Sequence, residues 1–352
     1  MKSKPTVIDL FCGCGGLSYG FIEAGYDVLL GIDHWKDAVV TFENTHQNAK
    51  GIVSDLFTET PKDIAQKTGI KNADIIIGGP PCQGFSLTGT RKEEDARNTL
   101  FQSMVEAVKL FQPKAFVLEN VPGLATLYGG KAKTAILEQF GELGYTINFQ
   151  VLYAPDYGVP QIRKRIFFVG LKNGETFEFP KPVLSPEEYV SCEQAIGDLP
   201  SLEHNLGKER AEYPCEPKSK YQEFMRKNSK VLLNNVGTVH TDLVKSVIAQ
   251  VPEGGNHKDL PPGVGDSRKF NEAWTRYHSQ KPSKTIDTGH RNHFHYKWNR
   301  VPTVRENARL QSFPDDFEFF GNKTQQYRQV GNAVPPLLGF HLAKALKKYL
   351  DK

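Results

Sequence analysis

The chain has 352 residues, room for two domains at ~150 residues each. At 39% hydrophobic and 24% charged, it has the composition of a soluble globular protein, and no apolar run reaches the ~18 residues a membrane-spanning helix needs. Five scattered cysteines exclude a disulfide scaffold and point to a reducing compartment, while a net charge of +4 permits a polyanionic partner without demanding one. The start, Met1 to Pro5, leads into a strand with no signal-peptide apolar region.

Strand and helix alternate through the first half. Thr6 to Phe11 is a short apolar run that ends in a glycine-rich loop, Cys12-Gly-Cys-Gly-Gly16, followed by an amphipathic segment from Leu17 to Ala24. Val28 to Asp33 reads as the second strand, Asp37 to Asn44 as its helix, and Ile52-Val53 as a third strand. Ala73 to Gly79 is a buried strand; Leu100 to Phe111 has helical spacing; Ala115 to Glu119 is strand five. Strand-rich segments follow at Thr146 to Leu152 and Ile166 to Leu171. Such alternation predicts a parallel, doubly wound sheet. Between about 180 and 300, prolines punctuate the chain and the alternation stops, which predicts a smaller, irregular domain before the last ~50 residues. Leu337 to Leu350 reads as an amphipathic helix.

Four places carry candidate chemistry. The loop Asp9-Leu-Phe-Cys-Gly-Cys-Gly-Gly16 sits at a strand-to-helix junction, where glycines let backbone N–H groups approach a ligand. Asp33 ends strand two 18 positions after Gly15, where a carboxylate can take both hydroxyls of a ribose. A dinucleotide and an adenosyl ligand without pyrophosphate both fit this loop. The second place is Gly78-Gly-Pro-Pro-Cys-Gln-Gly-Phe-Ser86, beyond the carboxyl end of the most buried strand, where Cys82 is displayed as a nucleophile. Only a thiolate attacks, so the surroundings must assist it. The third is Glu119 at the end of strand five, a neighbour able to face Cys82. A desolvated carboxyl there would hold a proton at neutral pH. The fourth is Gln161-Ile-Arg-Lys-Arg165, where strand alternation puts Arg163 and Arg165 on one face at the mouth of the site.

One further stretch is basic and aromatic. From Arg268 to Arg300, eight Lys or Arg face only Glu272 and Asp287, with Trp274, Tyr277, Phe294, Tyr296 and Trp298 interleaved. That composition suits phosphate and base contacts. His290, His293 and His295 have no second ligand pair, and neither do Cys12 and Cys14, so no metal site is expected.

In this order, the pieces resemble the cytosine-C5 DNA methyltransferases. The match runs through Phe11 to Gly16, Pro80-Pro-Cys-Gln83, Glu119-Asn-Val121 and Gln161 to Arg165, then Arg305 to Pro314 and Gln329 to Pro335. The resemblance implies a Rossmann-like α/β sheet using S-adenosylmethionine, with residues 1–175 plus 325–352 as the catalytic domain and 176–324 as target-recognition domain and hinge. It implies that Phe11, Gly13, Gly15, Gly16, Asp33, His34, Asp55, Pro80, Leu100, Asn332 and Val334 line the cofactor pocket. Cys82 would add to cytosine C6, Glu119 would bond N3 and the exocyclic amine, Arg165 would steady the base or Glu119, and Arg163 would help hold the catalytic loop or the base. The target base must leave the helix. Ser86, Arg91 and Lys92 would close over it, and Arg276, Lys284, Thr285 and Arg291 would contact the duplex. A compact chain of this family implies a monomeric, cytoplasmic modification enzyme of a bacterium or phage, paired functionally with a restriction endonuclease. An RNA cytosine methyltransferase and a non-enzymatic DNA-binding regulator are the alternatives; intact Cys82, Glu119 and Arg165 argue against the second.

Overall fold

The structure, a computed structural model, describes residues 3–81, 98–264, 273–289 and 292–350, with 98–100 as backbone only. It divides into two compact units. The first holds residues 1–153, 164–181 and 338–352; the second holds 154–163 and 182–337.

The first unit is built on β1 (Thr6–Leu10), α1 (Gly16–Glu23), β2 (Asp27–Asp33), α2 (Lys36–Thr45), β3 (Lys50–Val53), α3 (Pro61–Thr68), β4 (Ile75–Gly78), α4 (Asn98–Phe111), β5 (Ala115–Asn120), α5 (Lys131–Glu142), β6 (Thr146–Tyr153) and β7 (Lys164–Leu171). The strands form one sheet in the order β3-β2-β1-β4-β5-β7-β6. The first five are parallel; β7 runs antiparallel to both β5 and β6. Every residue of β4 is buried, as a central strand covered on both faces requires. Ile8, Leu10, Leu30, Ile32, Ile76 and Leu118 pack one face against Met104 and Val108 of α4 and Phe140 of α5. Elsewhere the Tyr26 hydroxyl donates to the Ala343 carbonyl of the C-terminal helix (Pro336–Leu350), 2.9 Å away. The strand order reverses between β1 and β4, and ligands of open α/β sheets sit beyond the carboxyl ends of strands at such a point.

The second unit has little regular structure: α6 (Cys192–Ile196), α7 (Lys220–Arg226), α8 (Asp242–Gln250), α9 (Val304–Leu310), α10 (Lys323–Asn332) and two-residue strands β8 (Arg210–Ala211), β9 (Leu232–Leu233), β10 (Thr275–Arg276) and β11 (His293–Phe294). Buried arginines stitch its loops. Arg309 meets Asp315 at 2.7 Å and also Asp198, and Arg300 makes two 2.7 Å bonds to Glu306. Burial pushes the Glu306 carboxyl up, but Arg300 and His295 outweigh it and hold it down to about 2.

The unit boundaries differ from the expected ones. Residues 176–181 stay with the sheet, where the Phe177 carbonyl accepts from Asn148 and the Glu178 N–H donates to Tyr349. Residues 325–337 group with the irregular unit, where Tyr327 donates to the Pro302 carbonyl and Gln311 to that of Ala333.

Candidate active site

The glycine loop leaves β1 through positive φ at Phe11 (58°), Gly13 (53°) and Gly15 (90°). The Asp33 carboxylate braces it: one oxygen accepts the Gly13 N–H and the other the Trp35 N–H, both at 2.9 Å. Gly15 is required twice over, by its φ and because a Cβ there would lie 2.2 Å from His46 Cε1. No side chain caps the N-terminus of α1, so its first N–H groups face the loop.

Beneath the loop lies a buried polar chain. Ser18 hydrogen-bonds the Asp9 carboxyl, and its Oγ lies 3.1 Å from His46 Nε2, while His46 Nδ1 lies 3.1 Å from the Phe42 carbonyl. A proton on Nδ1 satisfies that carbonyl. Burial pushes Asp9 up to about 8, against the Ser18 bond and aided by Asp33; burial pushes His46 down to about 3. The second Asp9 oxygen has no hydrogen-bond partner among the described residues. The Cys12 and Cys14 thiols are also pushed up by burial, which keeps them protonated.

Beside the glycine loop, His34 is exposed, its Nδ1 3.2 Å from Asp33 Oδ1. Asp55 is exposed and opens a turn, Oδ1 accepting the Phe57 N–H. The Ser54 N–H reaches the Asp33 carbonyl at 2.9 Å and ties the ends of β2 and β3.

The loop after β4 is anchored from β5. Asn120, buried, donates to the Pro80 carbonyl at 2.9 Å. Gly79 has no room for a side chain, since a Cβ would sit 2.8 Å from Glu119 Oε2. Glu119 and Arg165 pair at 2.7 Å (Nε to Oε1), with 12% and 15% of their side chains exposed. Antiparallel β7 starts where β5 ends, with Asn120 opposite Ile166. A carboxylate, a guanidinium and a braced loop therefore converge at the carboxyl ends of β4 and β5, an arrangement able to grip a planar polar ring from its side.

The family profile of C-5 cytosine-specific DNA methylases matches residues 5–348. The chain belongs to that family. The methylase is 40% identical over 375 residues to type II methyltransferase M.DdeI of Desulfomicrobium norvegicum, covering 98% of this chain and 89% of the relative. It is 41% identical to type II methyltransferase M1.HphI of Haemophilus parahaemolyticus, over 97% and 87% of the two chains. Among solved structures, a candidate DNA modification methyltransferase encoded within an E. coli prophage superposes with a TM-score of 0.81 at 28% identity, covering 99% and 100%. The Dnmt2 methyltransferase of S. pombe shares the fold, with a TM-score of 0.61 at 17% identity over 98% and 99%.

Several expected positions fall outside the described residues of the methylase: Cys82, Ser86, Arg91, Lys92, Arg291 and the Leu100 side chain. Two expectations are corrected. Arg163 does not alternate with Arg165 on a strand face. β7 begins at Lys164, and Arg163 is buried in the second unit, its Nη2 donating to the Gly331 and Ala333 carbonyls at 3.0 Å each. Arg276 is 5% exposed, and its five N–H donors meet five acceptors: the carbonyls of Val251, His295, Trp298 and Ile248 and the Asn299 side chain. No donor remains for a phosphate. Lys284, Thr285 and Asn332 are exposed and Val334 is buried. His293 and His295 are both buried; His293 packs on the Tyr277 ring and His295 lies 3.5 Å from Glu306, and among the described residues no metal-binding group of His, Cys, Asp or Glu forms.

Sequence reasoning missed Asn120 as a loop anchor, although it stands inside the Glu119-Asn-Val121 motif. It also missed Ser18, His46 and Asp9 as a unit. His46 carries no local signal, because its role depends on the close approach of Gly15 across 31 residues.

Proposed function

We propose that this cytosine-C5 methylase transfers a methyl group from S-adenosylmethionine to an extruded cytosine in a specific duplex sequence, through a covalent bond between Cys82 and cytosine C6. The observation that carries the reading is the Glu119–Arg165 pair at 2.7 Å, beside the loop that Asn120 fastens at Pro80, two residues before Cys82. The glycine loop suits an adenosyl ligand bearing an amino-acid end. An uncapped helix N-terminus favours its carboxylate, an unpartnered buried Asp9 oxygen remains beneath the loop, and Asp33 keeps lone pairs for ribose hydroxyls. Phe11, Gly13, Gly15, Gly16, Asp33, His34, Asp55, Pro80, Leu100, Asn332 and Val334 would hold it. When bound, it supplies an electrophilic methyl group.

The chain's residues do the rest. The Cys82 thiolate adds to C6, and the ring electrons move toward C5 while Glu119 stabilises a proton at N3. Arg165 keeps Glu119 and the base in register. C5, now nucleophilic, takes the methyl group, whose bond to the sulfonium sulfur would break with the electron pair left on sulfur as a neutral thioether. Loss of the C5 proton then expels Cys82 and restores the aromatic ring. Ser86, Arg91 and Lys92 would cover the extruded base, and Lys284, Thr285 and Arg291 would contact the duplex.

The type II methyltransferases among its relatives support a role as the modification partner of a restriction endonuclease. The enzyme would act as a cytoplasmic monomer; among the described residues no helix is long and apolar enough to cross a membrane. Bisulfite sequencing of DNA from cells expressing the chain tests activity and reads the target together. Cys82→Ser is expected to abolish methylation while cofactor still binds by calorimetry; methylation by the serine variant would refute the nucleophile.

A further inference from the structure

Gln161 is fully buried and bonds in four directions. Its amide nitrogen donates to the Leu310 carbonyl at 3.3 Å and to Gln311 Oε1; its oxygen accepts from Ile286 N–H and Arg163 Nη1, both at 3.3 Å. Arg163 continues the chain to the Gly331 and Ala333 carbonyls, and Gln311 Nε2 donates to Ala333 as well, at 2.6 Å. On the other side, Ser283 N–H donates to the Pro160 carbonyl, Ile162 N–H to that of Ser283, and Thr285 Oγ1 to that of Ile162. Gly331 closes the ring: a Cβ there would meet the Asp287 carbonyl oxygen at 2.6 Å. All these residues belong to the second unit.

We propose that Gln161, Arg163 and Gln311 form a buried clasp that locks segment 283–288 against the 331–333 turn, making Arg163 a positioning residue that touches neither base nor phosphate. The inference rests on the reading that the segment containing Thr285 contacts DNA and that Asn332 faces the cofactor. Under that reading, the clasp fixes the spacing between the DNA-contacting segment and the 331–333 turn inside the second unit. The residue types follow from the task. A planar guanidinium reaches two carbonyls two residues apart and an amide oxygen together, which a lysine ammonium on a flexible stem does not. Both glutamines offer a donor and an acceptor at once, so each can bridge two groups.

The test compares wild type with Arg163→Lys in two measurements. The first is hydrogen exchange of peptides covering 283–288 and 331–334, with β1, β4 and β5 as the reference for folding. The second is kcat/KM on the target duplex against a duplex changed at one recognition base. The expected result is faster exchange in both segments with an unchanged sheet, and discrimination reduced at least tenfold. A merely structural role lowers the active fraction on both duplexes alike and leaves the ratio intact. An unchanged ratio with unchanged exchange overturns the clasp. If Arg163→Lys does not fold, Gly331→Ala, which pushes Asp287 away from the turn, carries the same two expectations. If wild type methylates no DNA, the functional reading fails on its own, while the exchange experiment still decides the clasp.

Discussion

Glu119 is held on both carboxylate oxygens: the Gly79 backbone lies against one and the Arg165 guanidinium pairs with the other. Glu119→Gln keeps the shape and one acceptor but loses the charge that, in the proposed mechanism, stabilises a proton at N3. It is expected to lower kcat on the target duplex by about 10²–10⁴-fold, with KM for DNA little changed. An unaltered kcat would remove Glu119 from the chemistry. Asp9 makes a pH prediction. Its carboxyl is raised from 3.8 to about 8 in the fold, mainly by burial. Its contribution to stability is therefore complete below about pH 4 and is lost as pH rises toward 8. His46, lowered from 6.5 to about 3 by burial, acts in the opposite sense, losing its contribution as pH falls from 6.5. The two slopes oppose each other below pH 6.5, and only the Asp9 slope remains above it. Urea denaturation is expected to show wild type losing stability between pH 6.5 and 8, and Asp9→Asn losing less; parallel losses would refute the assignment.

At the scale of elements, Asn120 joins two that the chain keeps 40 residues apart, the end of β5 and the loop after β4. Asn120→Ala leaves the buried Pro80 carbonyl without its donor. The expected cost is about 1–3 kcal/mol of stability in denaturant titration. A loss of turnover larger than the folded fraction explains would show that the loop has shifted. The parallel strands were legible because each is a short apolar run between turn signals, and β4, with Ile75-Ile-Ile, the most so. The helices of the second unit were not foreseen, and in the sheet unit neither were α3 and α5. The first had a readable start, Thr60 capping Asp63 with Pro61 at the first helical position. In the second, Lys131 to Glu142, only Ala132, Ile136 and Phe140 are buried, a sparse apolar stripe that loop-like glycines precede. The Arg163–Arg165 reading failed for a physical reason. Alternation holds only inside a strand, and this strand begins between the two arginines.

Across the whole molecule, the basic stretch from 268 to 300 looked like one electrostatic surface, yet among the described residues its charges divide by burial. Arg276 and Arg300 are interior fasteners, bonded to carbonyls and to Glu306, whereas Lys281 and Lys284 are exposed. Charge in a sequence shows where arginines are concentrated. It does not show which of them a loop-rich unit needs as cross-links, because those partners lie on other loops. The distinction is measurable through counterion release, since each phosphate contact adds about 0.9 to the slope of log K against log salt on duplex DNA. Lys284→Ala is expected to reduce that slope by about one while leaving the melting temperature nearly unchanged. Arg276→Met is expected to do the reverse, leaving the carbonyls of Val251 and His295 without their Arg276 donor and lowering the melting temperature, with the slope of the folded fraction unaltered. If the arginine variant lowered the slope and the lysine variant did not, the division of these charges into fasteners and DNA contacts would be wrong.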